Sequence, residues 1–285
     1  MACFFRPDPS RALFGGLVAV MFATLVPAMA GPHPVELAPH RAIYDLKLKE
    51  ARGNQPVEEV RGRILYDFNG NLCEGYALQF RQVSELDLGE DKQLTADLRA
   101  TTWEDGAAKA FRFRSENFTN NDLSAAVDGN AERGATGVSV VLKKPEQKKI
   151  TLDAAVVFPT EHMRRIVEAA LAGKSILEVP VFDGSDNGEK VYDTLTVIGQ
   201  RIAPGEKTPD DVAGRTEALS KLARWPVNIS YFDRGKKSGE QMPIYSIRFE
   251  IYENGISRAL VLDYNDFSIS GEMTSLEIAP SKPCQ

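Results

Sequence analysis

Residues 242–277 read MPIYSIRFEIYENGISRALVLDYNDFSISGEMTSLE, and this stretch decides the fold class. Ile244, Ser246 and Arg248 alternate with Tyr245, Ile247, Phe249 and Ile251. A period of two marks a strand with one face on a core, because successive side chains leave a pleated backbone on opposite sides. Asn254-Gly255 supplies two residues that tolerate positive φ, which predicts a type I′ hairpin turn. Alternation then resumes through Ile256, Ala259, Val261 and Asp263. The run stops shortly before Cys284, so the last strands are expected to close a sheet and to be tied back to its beginning.

The preceding chain repeats this pattern. Strands are expected over His40–Lys49, Val57–Phe68, Leu72–Val83, Gln93–Trp103, Lys109–Phe118, Gly137–Lys144 and Lys148–Asp153. Turns are placed at Asn69-Gly70-Asn71, Asp105-Gly106 and Asp128-Gly129-Asn130, which puts Cys73 at the start of a strand. One segment has a different period. Met163, Ile166, Val167, Ala170 and Leu171 form an apolar stripe at helical spacing, with Arg164, Arg165 and Glu168 on the wet face. Thr160 is the expected N-cap and Gly173 the stop. Strands resume over Ile176–Phe182, Lys190–Ile202 and Val227–Asp233, with turns at Asp183–Gly188 and Gly235–Gly239. Ala203–Arg224 shows no period and reads as a long excursion with a short helix near Glu217–Leu222. These elements predict an all-β fold: a single large antiparallel sheet, curled or barrel-like, of roughly 12 to 14 strands with one main helix.

The first 30 residues read as an export signal. Arg6 and Arg11 precede an apolar run from Ala12 to Val26, and Ala28-Met29-Ala30 fits a small-x-small cleavage site. That run falls short of the roughly 20 residues that span a bilayer, so residues 1–30 are assigned to a cleaved signal peptide and 31–285 to one exported domain. The chain carries 34 basic and 40 acidic residues, and the mature part has a net charge of about −7. With no Lys/Arg run longer than two, nucleic acid is excluded as a partner, and so is a polybasic grip on anionic lipid.

Cys3 leaves with the signal, which leaves Cys73 and Cys284 as an even pair in an oxidising compartment. A structural disulfide between them is expected, and no C-x-x-C spacing points to redox chemistry.

No catalytic constellation stands out. His33, His40 and His162 make no H-x-x-x-H pair, and no G-x-S-x-G elbow occurs. Asp183, Ser185 and Asn187 with Gly188 resemble the opening of a calcium loop, but position twelve is Thr194, so a Gly-rich hairpin turn is the simpler reading. The adjacent carboxylates Glu58-Glu59, Glu104-Asp105 and Asp210-Asp211 point to opposite strand faces and read as solvated surface. Hence no catalytic, metal or cofactor residue is assigned, and the chain is read as a non-enzyme without cofactors.

Four segments carry a resemblance: APHRAIYDL at Ala38–Leu46, FPTEH at Phe158–His162, FDGSDNGEKVYDT at Phe182–Thr194 and YENGISR at Tyr252–Arg258. Together they resemble the cell-envelope integrity protein B family of exported proteobacterial proteins, long catalogued as a domain of unknown function. The resemblance covers nearly the whole mature chain, and the Cys73/Cys284 pair fits that family's single long-range disulfide. It implies a periplasmic protein with a spiral-like, open β-barrel, needed for envelope integrity under stress, and it transfers no catalytic residues. The expected role is a non-enzymatic, monomeric envelope factor that binds a protein or an acyl-chain ligand. A lipid or lipoprotein carrier and a periplasmic hydrolase are the rival readings.

The cysteine reading is directly testable. A bond closing a loop of roughly 210 residues contributes about 5 kcal/mol in the chain-entropy model. Reductant, or Cys73→Ser, should therefore lower the melting temperature far more than a surface substitution does. Equal melting with and without reductant would refute the tie.

Overall fold

Residues 35–52, 57–89, 92–235, 242–281 and 284 are described in the computed structural model of the chain. The expected signal, residues 1–30, and the turn at 236–239 lie outside them, as does His33.

The alternating stretches become β1 (His40–Ala51), β2 (Glu59–Asn71), β3 (Gly75–Asp87), β4 (Gln93–Glu104), β5 (Ala110–Thr119), β6 (Asp122–Arg133), β7 (Val138–Lys144) and β8 (Lys148–Leu152). Helix α1 (Pro159–Leu171) follows, then β9 (Ile176–Val181) and β10 (Tyr192–Ile198). Two four-residue helices, α2 (Val212–Arg215) and α3 (Glu217–Ser220), precede β11 (Arg224–Asp233), β12 (Tyr245–Tyr252), β13 (Ser257–Tyr264) and β14 (Phe267–Ile278).

All fourteen strands belong to one antiparallel sheet in the order β8-β7-β6-β5-β4-β3-β2-β1-β14-β13-β12-β11-β10-β9. The chain therefore starts in mid-sheet and meanders out to one edge. It crosses to the other edge through α1 and meanders back until β14 lies beside β1. The β1–β14 register runs from His40↔Ile278 to Ala51↔Phe267, with irregularities at Ile43/Tyr44 and Leu48/Glu50. The sheet is open: its edges, β8 and β9, are not paired with each other.

One face of this sheet is largely apolar, as a period of two allows, with three clusters of buried side chains along it. Ile166, Val167, Ala169 and Ala170 of α1 pack on Tyr192, Trp225, Ile229, Phe249 and Ile251 of β10–β12. Full burial of such an aliphatic side chain is worth about 1.5–3 kcal/mol. A second cluster joins β1, β2 and β14 to Ala213 and Leu219 of the excursion. In a third, Phe111, Phe113, Val127 and Leu142 of β5–β7 meet Phe158, just before α1, and Phe182, just past β9. The ring centroids of Phe113 and Phe182 lie 5.4 Å apart. This contact curls the sheet: residues just past β9 pack on β5, although neither edge reaches the other.

Several local expectations change. The Asn254-Gly255 hairpin is not type I′, since only Gly255 has positive φ (84°). Gly255 N–H donates to Tyr252 O and Tyr252 N–H to Ile256 O, the three-residue loop in which a type I turn ends on a left-handed glycine. Cys73 lies in the turn between β2 and β3, because Asn69-Gly70-Asn71 stays in β2. There Asn71 Oδ1 accepts the amides of Cys73 and Glu74, both at 2.8 Å. Asp128-Gly129-Asn130 is no turn but the middle of β6. Leu123 and Ala125–Ala126 carry little alternation, and Gly129 hides a packing requirement: a Cβ there would sit 2.7 Å from the Phe113 ring and 2.9 Å from Leu142. The strand expected to reach Ile202 ends at Ile198, after which Ile202 forms a single bridge with Arg224.

Helix α1 also begins differently. Its N-cap is Phe158, with Pro159 in the first turn and no side-chain cap of its own. Thr160 therefore does not cap it. Leu171, expected on the buried stripe, is 52 % exposed at the helix end.

Gly129→Val should destabilise the protein by about 1–3 kcal/mol through overpacking. Adding Phe113→Leu should recover part of that loss, because the two positions share one volume. Chemical denaturation of the single and double variants checks this, and strictly additive losses would refute the steric account.

Candidate binding surfaces and buried polar centres

Two buried polar centres hold the crossover and the excursion on the sheet. At the first, Glu104 at the end of β4 aims its carboxylate into the start of α1. It accepts the amides of Thr160 and Glu161, each at 2.7 Å. A carboxylate from a distant strand thus satisfies two of the helix's orphan donors and meets the positive end of its dipole. Arg133 of β6 surrounds the same point. It donates to the carbonyls of Ala108, Ala154 and Val156, pairs with Glu161 Oε2 at 2.9 Å and lies over the Phe158 ring. Arg165 pairs with the other Glu161 oxygen, and Arg164 donates to Gly106 O at 2.7 Å.

Glu104 is 2 % exposed, and burial pushes its carboxyl up to about 7 against the pull of the two amides. The adjacent His162 is buried too. Its Nε2 has no hydrogen-bond partner among the described residues, and burial, reinforced by Arg165, lowers its pKa to about 4. His40 is likewise held below the usual histidine value by burial; its Nδ1 lies 2.8 Å from Ala38 O and its ring stacks on Tyr66.

At the second centre, Asp211 caps α2 through the Gly214 amide at 3.0 Å and pairs with Arg258 at 2.7 Å. Arg258 also pairs with Glu250 at 2.6 Å, and Glu250 with Arg224 at 2.7 Å. Arg224 reaches back to the carbonyls of Glu206 and Lys207. An alternating chain of buried and half-buried charges on β11, β12 and β13 thus anchors the aperiodic segment. The solvated reading of the carboxylate pairs holds for the exposed Glu58-Glu59 but fails for Glu104 and Asp211, which are buried. Each binds backbone amides at a helix start, a use that adjacency in sequence does not reveal.

The Asp183–Gly188 loop behaves as a turn. Asp183 Oδ1 accepts the Ser185 amide and Asn187 Oδ1 the Glu189 amide, while Ser185 Oγ lies 3.2 Å from the Tyr192 hydroxyl, so all three candidate ligands have partners within the chain. Gly184 and Gly188 have positive φ, and a Cβ at either would strike Phe113 or Leu142. The FDGSDNGEK segment is therefore shaped to lie on β5–β7. Among the described residues no group of three or more His, Cys, Asp or Glu side chains is placed to hold a metal ion. Cys73 and Cys284 face each other across a Cα–Cα distance of 5.7 Å, within the reach of a disulfide.

Two surface depressions stand out. One, of about 460 Å³, lies beside the start of α1 and is lined by Leu72, Gly106, Arg164, Arg165 and Glu168. The other, of about 530 Å³, lies on β9–β11, bounded by Glu178, Pro180, Asp193, Leu195 and Phe232. No helix among the described residues is long and apolar enough to cross a membrane.

Sheet, crossover helix and buried charge centres define a barrel-like protein built on one open, curled antiparallel sheet. A solved beta-barrel-like protein of a domain of unknown function from Brucella abortus superposes with a TM-score of 0.80 and 39 % identity, covering 86 % of this chain and all of that one. The cell envelope integrity protein EipB of Brucella abortus (strain 2308) is 38 % identical over 267 residues, 94 % of this chain and 93 % of that protein. The EipB-like family model matches residues 32–280, and the chain belongs to the EipB-like family.

Glu104 and His162 set opposing pH dependences. The Glu104 pKa is raised on folding, so its contribution is full below about 4.5 and is lost as pH rises through about 7. The His162 pKa is lowered, so its contribution is present above about 6.5 and is lost as pH falls through about 4. Between pH 4.5 and 6.5 the two offset each other. In that window Glu104→Gln should gain stability with rising pH, and His162→Phe should lose it. Denaturation midpoints across the window check both slopes, and equal slopes in the two variants would contradict the assignment.

Proposed function

We propose that the protein is exported to the periplasm, where it supports cell-envelope integrity as a non-enzymatic, monomeric binding protein stapled by a Cys73–Cys284 disulfide. The envelope role follows from family membership and from the name of the Brucella relative. One structural observation favours a protein partner over an acyl chain. Most of the apolar face of the sheet is occupied by the chain's own elements: α1 over β10–β12, the 203–222 excursion over β1, β2 and β14, and the Asp183–Gly188 loop over β5–β7. Recognition then falls to the outer surface and the strand edges. The acidic balance of the chain favours partners with basic segments.

A carrier reading keeps one supporting feature. Phe80, Leu94 and Leu98 lie on the same face of β3 and β4 as the buried Tyr76 and are partly accessible. Organic extraction of the protein purified from periplasm decides between the two: a stoichiometric acyl species would favour the carrier, and an empty protein the protein-binding role.

The export and envelope readings are tested by deleting the gene and challenging cells with detergent. The full chain should restore tolerance, and a chain lacking residues 1–30 should not. The restored protein should begin at Gly31 by mass spectrometry. Unchanged tolerance in the deletion strain would remove the envelope role, and a retained leader would remove the cleavage.

A further inference from the structure

The two edges of the open sheet are finished in different ways. Edge strand β8 is five residues long and carries exposed Lys148 and Lys149, the usual defence of an edge against pairing with another chain. Edge strand β9 has such protection only at its far end. Val157 N–H donates to Pro180 O at 2.8 Å and Phe182 N–H donates to Val157 O at 3.0 Å, so the segment before α1 covers β9 from Pro180 onward.

The near half is bare. Ile198 N–H donates to Ser175 O at 2.8 Å, which sets the hydrogen-bond phase with β10. In that phase Leu177 faces Thr196 and Val179 faces Thr194 as bonded pairs, while the N–H and C=O groups of Ile176 and Glu178 point away from β10. None of those four groups has a hydrogen-bond partner among the described residues. The adjoining outer surface is apolar and acidic together. Ile176 and Val197 are direct cross-strand neighbours, 56 % and 46 % exposed. Glu178 has no ion pair among the described residues, and Asp193 has one loose partner, Arg234, at 3.5 Å. Both carboxylates border the depression of about 530 Å³ next to Pro180, Leu195 and Phe232.

We propose that β9 from Ile176 to Pro180 is an acceptor strand for an extended segment of a partner protein that alternates apolar and basic residues. The inference rests on the protein-binding reading above and names its site. Only an extended backbone satisfies a row of outward N–H and C=O groups, which selects strand addition over a docked helix. Apolar side chains of the added strand cover Ile176 and Val197, and its basic side chains meet Glu178 and Asp193. An acidic segment is rejected by the same two carboxylates. Pro180, which has no N–H, and the Val157 bridge together end the site and fix the register.

The probe is an acetylated, amidated Val-Lys-Val-Arg-Val-Thr peptide, offered to the purified full-length exported protein. A control peptide carries Glu in place of Lys and Arg. Binding is followed by fluorescence anisotropy and by hydrogen exchange of individual amides. The basic peptide should slow exchange at Ile176 and Glu178, and the acidic peptide should not. Glu178→Pro deletes an N–H that bonds nothing in β10, so it should abolish peptide binding with the melting temperature unchanged. The double charge reversal Glu178→Lys/Asp193→Lys should weaken binding roughly tenfold, about 1.4 kcal/mol. Unaltered exchange at Ile176 and Glu178, equal binding of the acidic peptide, or wild-type affinity in Glu178→Pro would each overturn the proposal. In the deletion strain, full detergent tolerance restored by Glu178→Pro would overturn the edge as the working site and leave the envelope role standing. Failure of the wild-type gene to restore tolerance would remove the envelope role alone, because the peptide measurements do not depend on it.

Discussion

The seat of the Glu104 carboxylate in the N-terminus of α1 is the constraint around which the open sheet curls. A meander of fourteen strands has no intrinsic reason to place its two halves at one angle rather than another. The crossover helix supplies that reason. Its first two turns are held by β4 through Glu104, by β6 through Arg133 and by the β4–β5 turn through Arg164. Its apolar stripe lies on β10–β12, in the other half of the chain. A helix end buried without acceptors would be costly, so the polar anchor and the apolar stripe depend on each other.

The second charge centre does the same for a segment with no regular structure to hold it. Residues 203–222 contribute Ala213 and Leu219 to the core, but their position over β1 and β14 is fixed by Asp211, Arg258, Glu250 and Arg224. Such a network is cooperative: removing one member leaves its neighbour charged and buried. At the curled end of the sheet, shape replaces charge. Gly184 and Gly188 let the loop after β9 lie directly on Phe113 and Leu142, a contact that any side chain at those positions would block.

These devices leave the rim and outer face of the sheet as its accessible surfaces. Elements of the chain itself cover most of the apolar face, Glu104 and Glu161 hold the start of α1, and Asp211 holds α2. The strands at the two ends of the order are where backbone groups remain, and they are finished unequally, with lysines on β8 and an apolar, acidic neighbourhood on β9. Open sheets of this length carry an inherent pairing hazard. Among the described residues of β9 that hazard is confined to one half-strand, Ile176 to Glu178.

Much of the architecture was legible because side-chain alternation is a local property. The strands of the Met242–Glu277 stretch, β1 to β5 and the helix all follow from periods of two and 3.6 that neighbouring residues display. The family resemblance was legible for a similar reason, since FPTEH and FDGSDNGEKVYDT are contiguous segments. What escaped was decided by partners distant in the chain. β6 looked like a turn because its glycine makes room for Phe113. Thr160 looked like a cap because the true acceptor, Glu104, lies 56 residues earlier. Asp211 looked solvated because Arg258 is 47 residues away. The local pattern of residues was enough for the all-β class, the meander and the long helix, and it singled out Cys73 and Cys284 as the pair expected to bond. Which carboxylates are buried and which edge stays open emerge only in the folded chain, because burial and hydrogen-bond phase depend on residues that meet only when the sheet curls.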